Sequence, residues 1–194
     1  MRNKKIMKKN DSIISTYRYP INSYNINLAI NRIEKIMQQS KSKNIIPEIF
    51  YECIDHGFRC EQVYIKKEKN KSLDIDNLFN FSQELDAIHS EGLIHGDIKF
   101  SNIIQNNNSF KIIDWEPVLE YKSLGTKYFQ STSTYISKED INLGVITKKT
   151  DLNGFYGFIH RLKFGSSNFK SLSLSEIEDK VSEKNAVQIF SLFY

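Results

Sequence analysis

The chain has 194 residues, 40% of them hydrophobic and 26% charged, with a formal net charge of +4. That is enough for one compact domain with a core, or for two small lobes. The positive excess is modest and no stripe of Lys and Arg alternates with aromatics, which argues against a nucleic-acid groove. No apolar run approaches a membrane span, and the N-terminus lacks the apolar segment of a signal peptide. Cys53 and Cys60 have neither metal-ligand spacing nor a disulfide framework, so a cytoplasmic chain with reduced thiols is expected.

Residues 3 to 19 read as a β-hairpin: a basic strand through Lys8, a turn at Asn10-Asp11, and a second strand from Ser12 that Pro20 ends. The cluster Arg2, Lys4, Lys5, Lys8 and Lys9 reads as a solvated strand face or terminus. Asn25 to Gln39 has the spacing of an amphipathic helix, with Ile26, Ala29, Ile30, Ile33, Ile36 and Met37 on its buried stripe. Pro47 breaks the chain. Glu48 to Cys53 and Gln62 to Lys66 then read as strands joined by a polar turn at Asp55-His56-Gly57.

A second amphipathic helix is predicted over Leu78 to His89, with Leu78, Phe81, Leu85 and Ile88 on one face and Gly92 closing it. A short strand Leu93-Ile94, a polar loop and a strand through Asn102-Ile103-Ile104 follow. Asn106-Asn107-Asn108 is a turn, and Phe110 to Ile113 the returning strand. Near the end, Ser173 to Tyr194 reads as an amphipathic stretch with a capping box at Ser173 to Glu176.

The chemistry lies in His95-Gly96-Asp97-Ile98-Lys99-Phe100-Ser101-Asn102 and, beyond the predicted turn, Ile113-Asp114-Trp115-Glu116. Asp97 and Asn102 are spaced so that a loop bending back brings both side chains to one cavity. Asp114 ends a β-branched run, as a metal-binding carboxylate at a buried strand end does. Two acids and an amide in this order suit phosphoryl transfer from a magnesium nucleotide.

These residues resemble the catalytic core of the eukaryotic-like protein kinase superfamily. His95-Gly96-Asp97 stands where that family has His-Arg-Asp, Lys99 and Asn102 match its Asp-x-Lys-x-x-Asn pattern, and Asp114-Trp115-Glu116 stands for Asp-Phe-Gly. The resemblance implies an α+β, bilobal kinase-like fold in a single domain over 1–194. About 1–68 would form an abbreviated N-lobe and 69–194 a truncated, mostly helical C-lobe. It implies ATP and Mg²⁺ as cofactors, Asp97 as catalytic base, Lys99 as a cation beside the transferring phosphate, and Asn102 and Asp114 as metal ligands. In the same way Glu34 and Arg18 stand for the helix Glu and strand Lys that bind the nucleotide, with Lys8 and Lys9 as rivals to Arg18.

Two further segments fit the resemblance. Ser131 to Glu139 looks like a degenerate Gly-Thr-x-x-Tyr-x-Ala-Pro-Glu, matching at Thr132, Tyr135 and Glu139. Asp151 stands where the family has an acid that accepts backbone hydrogen bonds from the catalytic loop. His95 is expected to pack beneath that loop.

There are also departures. No Gly-x-Gly-x-x-Gly exists in residues 1 to 60, where Gly57 is the only glycine. Either the phosphates are left uncovered or residues 1 to 10 cover them differently, and nucleotide affinity should suffer. A partner completing the N-lobe is a further expectation to test. Gly96 replaces the Arg that often needs a phosphorylated activation loop to balance it. A Ser/Thr-specific kinase acting on a protein substrate is the leading expectation. A pseudokinase, or an aminoglycoside- or choline-kinase-like enzyme using Glu116, Glu120 and Glu139 for a cationic acceptor, are the alternatives.

Overall fold

The computed structural model describes residues 3–9, 12–20, 26–54, 57–65, 75–106, 109–117, 119–123, 126–129 and 131–164. The stretch expected over Ser173 to Tyr194 lies outside them. The chain divides into two compact units: Met1–Ser72 with Ile104–Val118, and Leu73–Ile103 with Leu119–Tyr194. Together they contain helices and small antiparallel sheets, an α+β composition.

In the first unit β1 (Asn3–Lys9), β2 (Ser12–Pro20), β3 (Glu48–Ile54) and β4 (Gly57–Ile65) form an antiparallel sheet in the order β1-β2-β4-β3. β4 begins at Gly57, five residues before the predicted start at Gln62. Arg59 and Glu61, which lie between the predicted turn at Asp55-His56-Gly57 and the predicted strand, are the half-buried alternate positions of a strand whose Cys60 and Gln62 are fully buried. β2 registers with the whole of β4, from Pro20 opposite Gly57 to Ser12 opposite Ile65.

Helix α1 (Ile26–Ser40) packs through Ala29 and Ile33, with Met37 and Tyr51 against them. Ile30, expected on that stripe, is 37% exposed. A turn of about 100° per residue carries it off the line through Ala29, Ile33 and Ile36. The hairpin β5 (Ile103–Asn106) and β6 (Ser109–Ile112) follows, and the Ile112 N–H donates to the Ile45 carbonyl at 2.7 Å.

The second unit is built on α2 (Ile75–Ser90) and α4 (Lys148–Phe164). All four predicted stripe residues of α2 are buried, and Phe81 meets Phe155 with ring centroids 5.1 Å apart. After α2, Gly92 is left-handed, with its N–H on the His89 carbonyl and the Leu93 N–H on that of Ile88. The Leu93 amide is thereby committed to the helix end, and Leu93-Ile94 forms no strand. A hairpin not anticipated from the sequence, β7 (Glu120–Ser123) and β8 (Thr126–Phe129), precedes the short helix α3 (Lys138–Leu143). Its short, mostly polar strands carry little hydrophobic periodicity to read.

Helix α4 runs hard against the polar loop. A Cβ on Gly154 would lie 2.0 Å from the Ile98 carbonyl oxygen and 2.8 Å from its carbon. Backbone atoms cannot step aside as a flexible side chain would. Gly154→Ala is therefore expected to cost about 3 kcal/mol, the upper end of overpacking penalties, as measured by urea unfolding.

Candidate active site

Asp151, in the first turn of α4 and fully buried, anchors the loop. Its carboxylate accepts the His95 N–H at 2.7 Å, the Gly96 N–H at 2.6 Å and a hydrogen bond with His89 Nε2 at 3.0 Å. This is the loop-bracing role expected of it. Burial pushes its carboxyl pKa up, but the His89 hydrogen bond, the charges of His89 and His95 and the Gly96 N–H outweigh that and hold it below the usual carboxylate range. His95 is buried beneath the loop, with Nδ1 accepting the Asp97 N–H at 3.1 Å. Gly96 has φ +87, and a Cβ there would meet Leu119 at 2.8 Å. An Arg at this position would be strained and crowded.

The Asp97 carboxylate is held at both oxygens. Oδ1 accepts from the Thr132 N–H at 2.8 Å and its hydroxyl at 2.7 Å, and Oδ2 from Lys99 Nζ at 2.7 Å and Asn102 Nδ2 at 3.2 Å. Lys99 Nζ also reaches Thr132 Oγ1 at 3.0 Å, so Thr132 bridges the acid and the lysine. Asn102, itself buried, donates a further bond to the Asp97 carbonyl at 3.0 Å. Its amide nitrogen is committed to Asp97, which leaves Oδ1, touched by Ser101 Oγ at 3.5 Å, as the atom for a cation.

The segment after Thr132 is fastened to the same helix. Asn153 Nδ2 donates to the Tyr135 carbonyl at 3.1 Å, and the Tyr135 ring lies where a Cβ on Gly157 would stand. Ser137 caps α3 by accepting the Asp140 N–H at 3.0 Å. Glu139, the family-matched acid, is exposed. Its neighbour Asp140 is the buried one and accepts from Thr147 Oγ1 at 3.0 Å.

In the first unit, Asp114 is the one non-glycine with positive φ among the described residues, at 69°. Its segment is pinned by residues the sequence had not singled out. Gln62 Oε1 accepts the Asp114 N–H at 2.7 Å and the Trp115 N–H at 3.3 Å, while its Nε2 donates to the Trp115 carbonyl at 3.0 Å. Tyr51 adds its hydroxyl to that carbonyl at 3.3 Å, and Arg32 Nε donates to the Glu116 carbonyl at 2.7 Å. The available sequence signal was slight: Gln62 shares its alternation with Cys60.

Glu34 is exposed on α1. Arg18 occupies the register position opposite Arg59, and its side chain lies outside the described residues, as do those of Lys9 and Glu120. Lys8 is exposed, and Glu116 is buried. Among the described residues no three His, Cys, Asp or Glu gather into a metal cluster, and no helix is long and apolar enough to cross a membrane. The expected ligand pair, one amide oxygen and one carboxylate, has the hard oxygen chemistry that Mg²⁺ takes.

A comparison with curated proteins finds similarity to the Serine/threonine/tyrosine-protein kinase HT1 of Arabidopsis thaliana, 25% identical over 130 residues. The match takes in 64% of this chain and 33% of that protein, so the chain spans about a third of its relative's length. Residues 5–191 match the protein kinase domain, a match that takes in the Asp97 loop, the Asp114 segment and the Asp151 brace alike. The chain belongs to the protein kinase domain family.

Proposed function

We propose that this chain is an ATP-dependent protein kinase that transfers the γ-phosphate of Mg-ATP to a serine or threonine hydroxyl of a protein substrate. Asp97 accepts a hydrogen bond from the incoming hydroxyl and aligns it for attack. Lys99 sets a cation beside the transferring phosphate, and Asn102 and Asp114 supply oxygens to Mg²⁺, which offsets phosphate charge when bound. Arg18 and Glu34 are the proposed nucleotide-binding pair, and a partner that completes the abbreviated N-lobe belongs to the same reading.

The observation that carries this reading is the Thr132 bridge. A hydroxyl donating to Asp97 and accepting from Lys99 holds both side chains in one arrangement. That supports a preorganised acid for an aliphatic hydroxyl, since positioning alone supplies a large share of such catalysis.

The test uses γ-labelled ATP, Mg²⁺ and generic protein acceptors, with the labelled amino acid identified after hydrolysis. Label on serine or threonine is expected. Thr132→Ala should lower the rate by up to about 10²-fold, as misplaced catalytic groups do. Thr132→Ser should restore it and Thr132→Glu should not, because the bridge rather than a phosphate is what is lost. Label confined to tyrosine, or full rescue by glutamate, would count against the reading. Alanine at Ser131, Ser133 or Thr134 is expected to leave the rate unchanged, in keeping with the absence of an Arg before Asp97.

A further inference from the structure

A primary amide buried in a sheet must satisfy two donors and an acceptor without water. Gln62, 0% exposed in β4, does so almost entirely on the backbone of Asp114-Trp115, apart from a long contact of 3.8 Å to Cys60 Sγ. β6 ends at Ile112, so no strand ladder holds Asp114 or Trp115. Asp114 nevertheless adopts a left-handed backbone, which few non-glycine residues visit unless their surroundings enforce it.

We propose that Gln62 is a positioning residue for Asp114: through the peptide groups on either side it fixes the backbone from which the cation-binding carboxylate projects. This rests on the reading of Asp114 as a Mg²⁺ ligand. The choice of residue has a chemical logic. A Lys or Arg in this place would compete with the cation for the Asp114 charge, whereas an amide grips the peptide groups and leaves that charge intact. Tyr51 and Arg32 extend the same grip to Trp115 and Glu116, so three separate elements hold three consecutive residues. The segment is thus set before any ligand arrives.

Trp115 is the only tryptophan in the chain, fully buried, with Nε1 donating to the Ile112 carbonyl at 2.7 Å. It provides a readout independent of catalysis. Gln62→Met keeps the length of the side chain and removes its hydrogen bonds. Emission and acrylamide quenching of Trp115 would be measured without nucleotide, and Mg²⁺ affinity would be measured by calorimetry with a non-hydrolysable ATP analogue.

With native far-ultraviolet circular dichroism retained, the Met variant should show red-shifted, more quenchable emission. Its Mg²⁺ affinity should fall about 10- to 100-fold, as when the support of a metal ligand is removed. Tyr51→Phe, which deletes one hydrogen bond to the same carbonyl, should move both readouts the same way with a smaller loss of about fivefold. It carries the test should Gln62→Met fail to fold.

Ile88→Val, a trimmed core residue on α2 in the second unit, should change neither readout. Unchanged emission and affinity in the Gln62 and Tyr51 variants, or equal changes in Ile88→Val, would overturn the proposal. A wild type that binds Mg²⁺ and the analogue but transfers no phosphate sinks only the kinase reading, because emission and binding still decide the role of Gln62.

Discussion

Asp97→Asn is expected to lower phosphate transfer by about 10²- to 10⁴-fold while leaving nucleotide binding essentially intact. The range is that of a positioned acid or base in a transition state. The amide keeps the shape of the carboxylate, so the bonds from the Thr132 N–H and hydroxyl can persist on its oxygen. What it loses is the ability to take the substrate proton and the charge that draws Lys99 to 2.7 Å. Lys99 is 30% and Asp97 17% exposed at the side chain, so screening limits that pair to about 1 kcal/mol of stability. Steady-state rates beside urea unfolding check both halves. A variant as active as the wild type would remove Asp97 from the chemistry, and one that unfolds would turn its role into support.

Asp151→Ala should be the most damaging substitution for stability, at about 4 kcal/mol, the cost of breaking a buried pair by deleting one partner. Two buried N–H groups and His89 would lose their acceptor together. The same carboxylate gives the fold an acid limit. Because its native pKa lies below the ordinary value, the folded state binds this proton more weakly than the unfolded chain does. The stability it supplies is complete above the unfolded Asp value of about 3.9 and is lost as pH falls from there through the lowered native value. Thermal melts from neutral pH downward should show wild type and Asp151→Asn converging below about pH 4. A gap that stays constant across that range would show that the carboxylate's ionisation contributes nothing.

The loop from His95 to Asn102 was legible because its chemistry demands particular residue types at fixed spacing, and the α2 stripe because four large apolar residues repeat on one face. The sheet was harder. Arg59 and Glu61 are charged and fall between the predicted turn and the predicted strand, and only pairing with β2 and β3 reveals them as alternate strand positions. Ile30 departs from the expected stripe because Ile is equally apolar wherever it sits, and only packing decides which side of a helix is covered. Gln62 carries no motif at all. Its importance arises from segments far apart in the sequence, through hydrogen bonds that no local pattern encodes.

Cys60 lies in the same wall as Gln62, fully buried, with its thiol pKa pushed up to about 12, chiefly by burial. At neutral pH only about one thiol in 10⁵ would be ionised there, and the thiolate is the form that attacks electrophiles and peroxides. Oxidants and alkylating drugs in the surrounding solution would therefore pass this sulfur by while the sheet is closed. Modification at Cys60 would record instead how often β4 parts from its neighbours, a slow clock for breathing of the sheet that steadies Asp114.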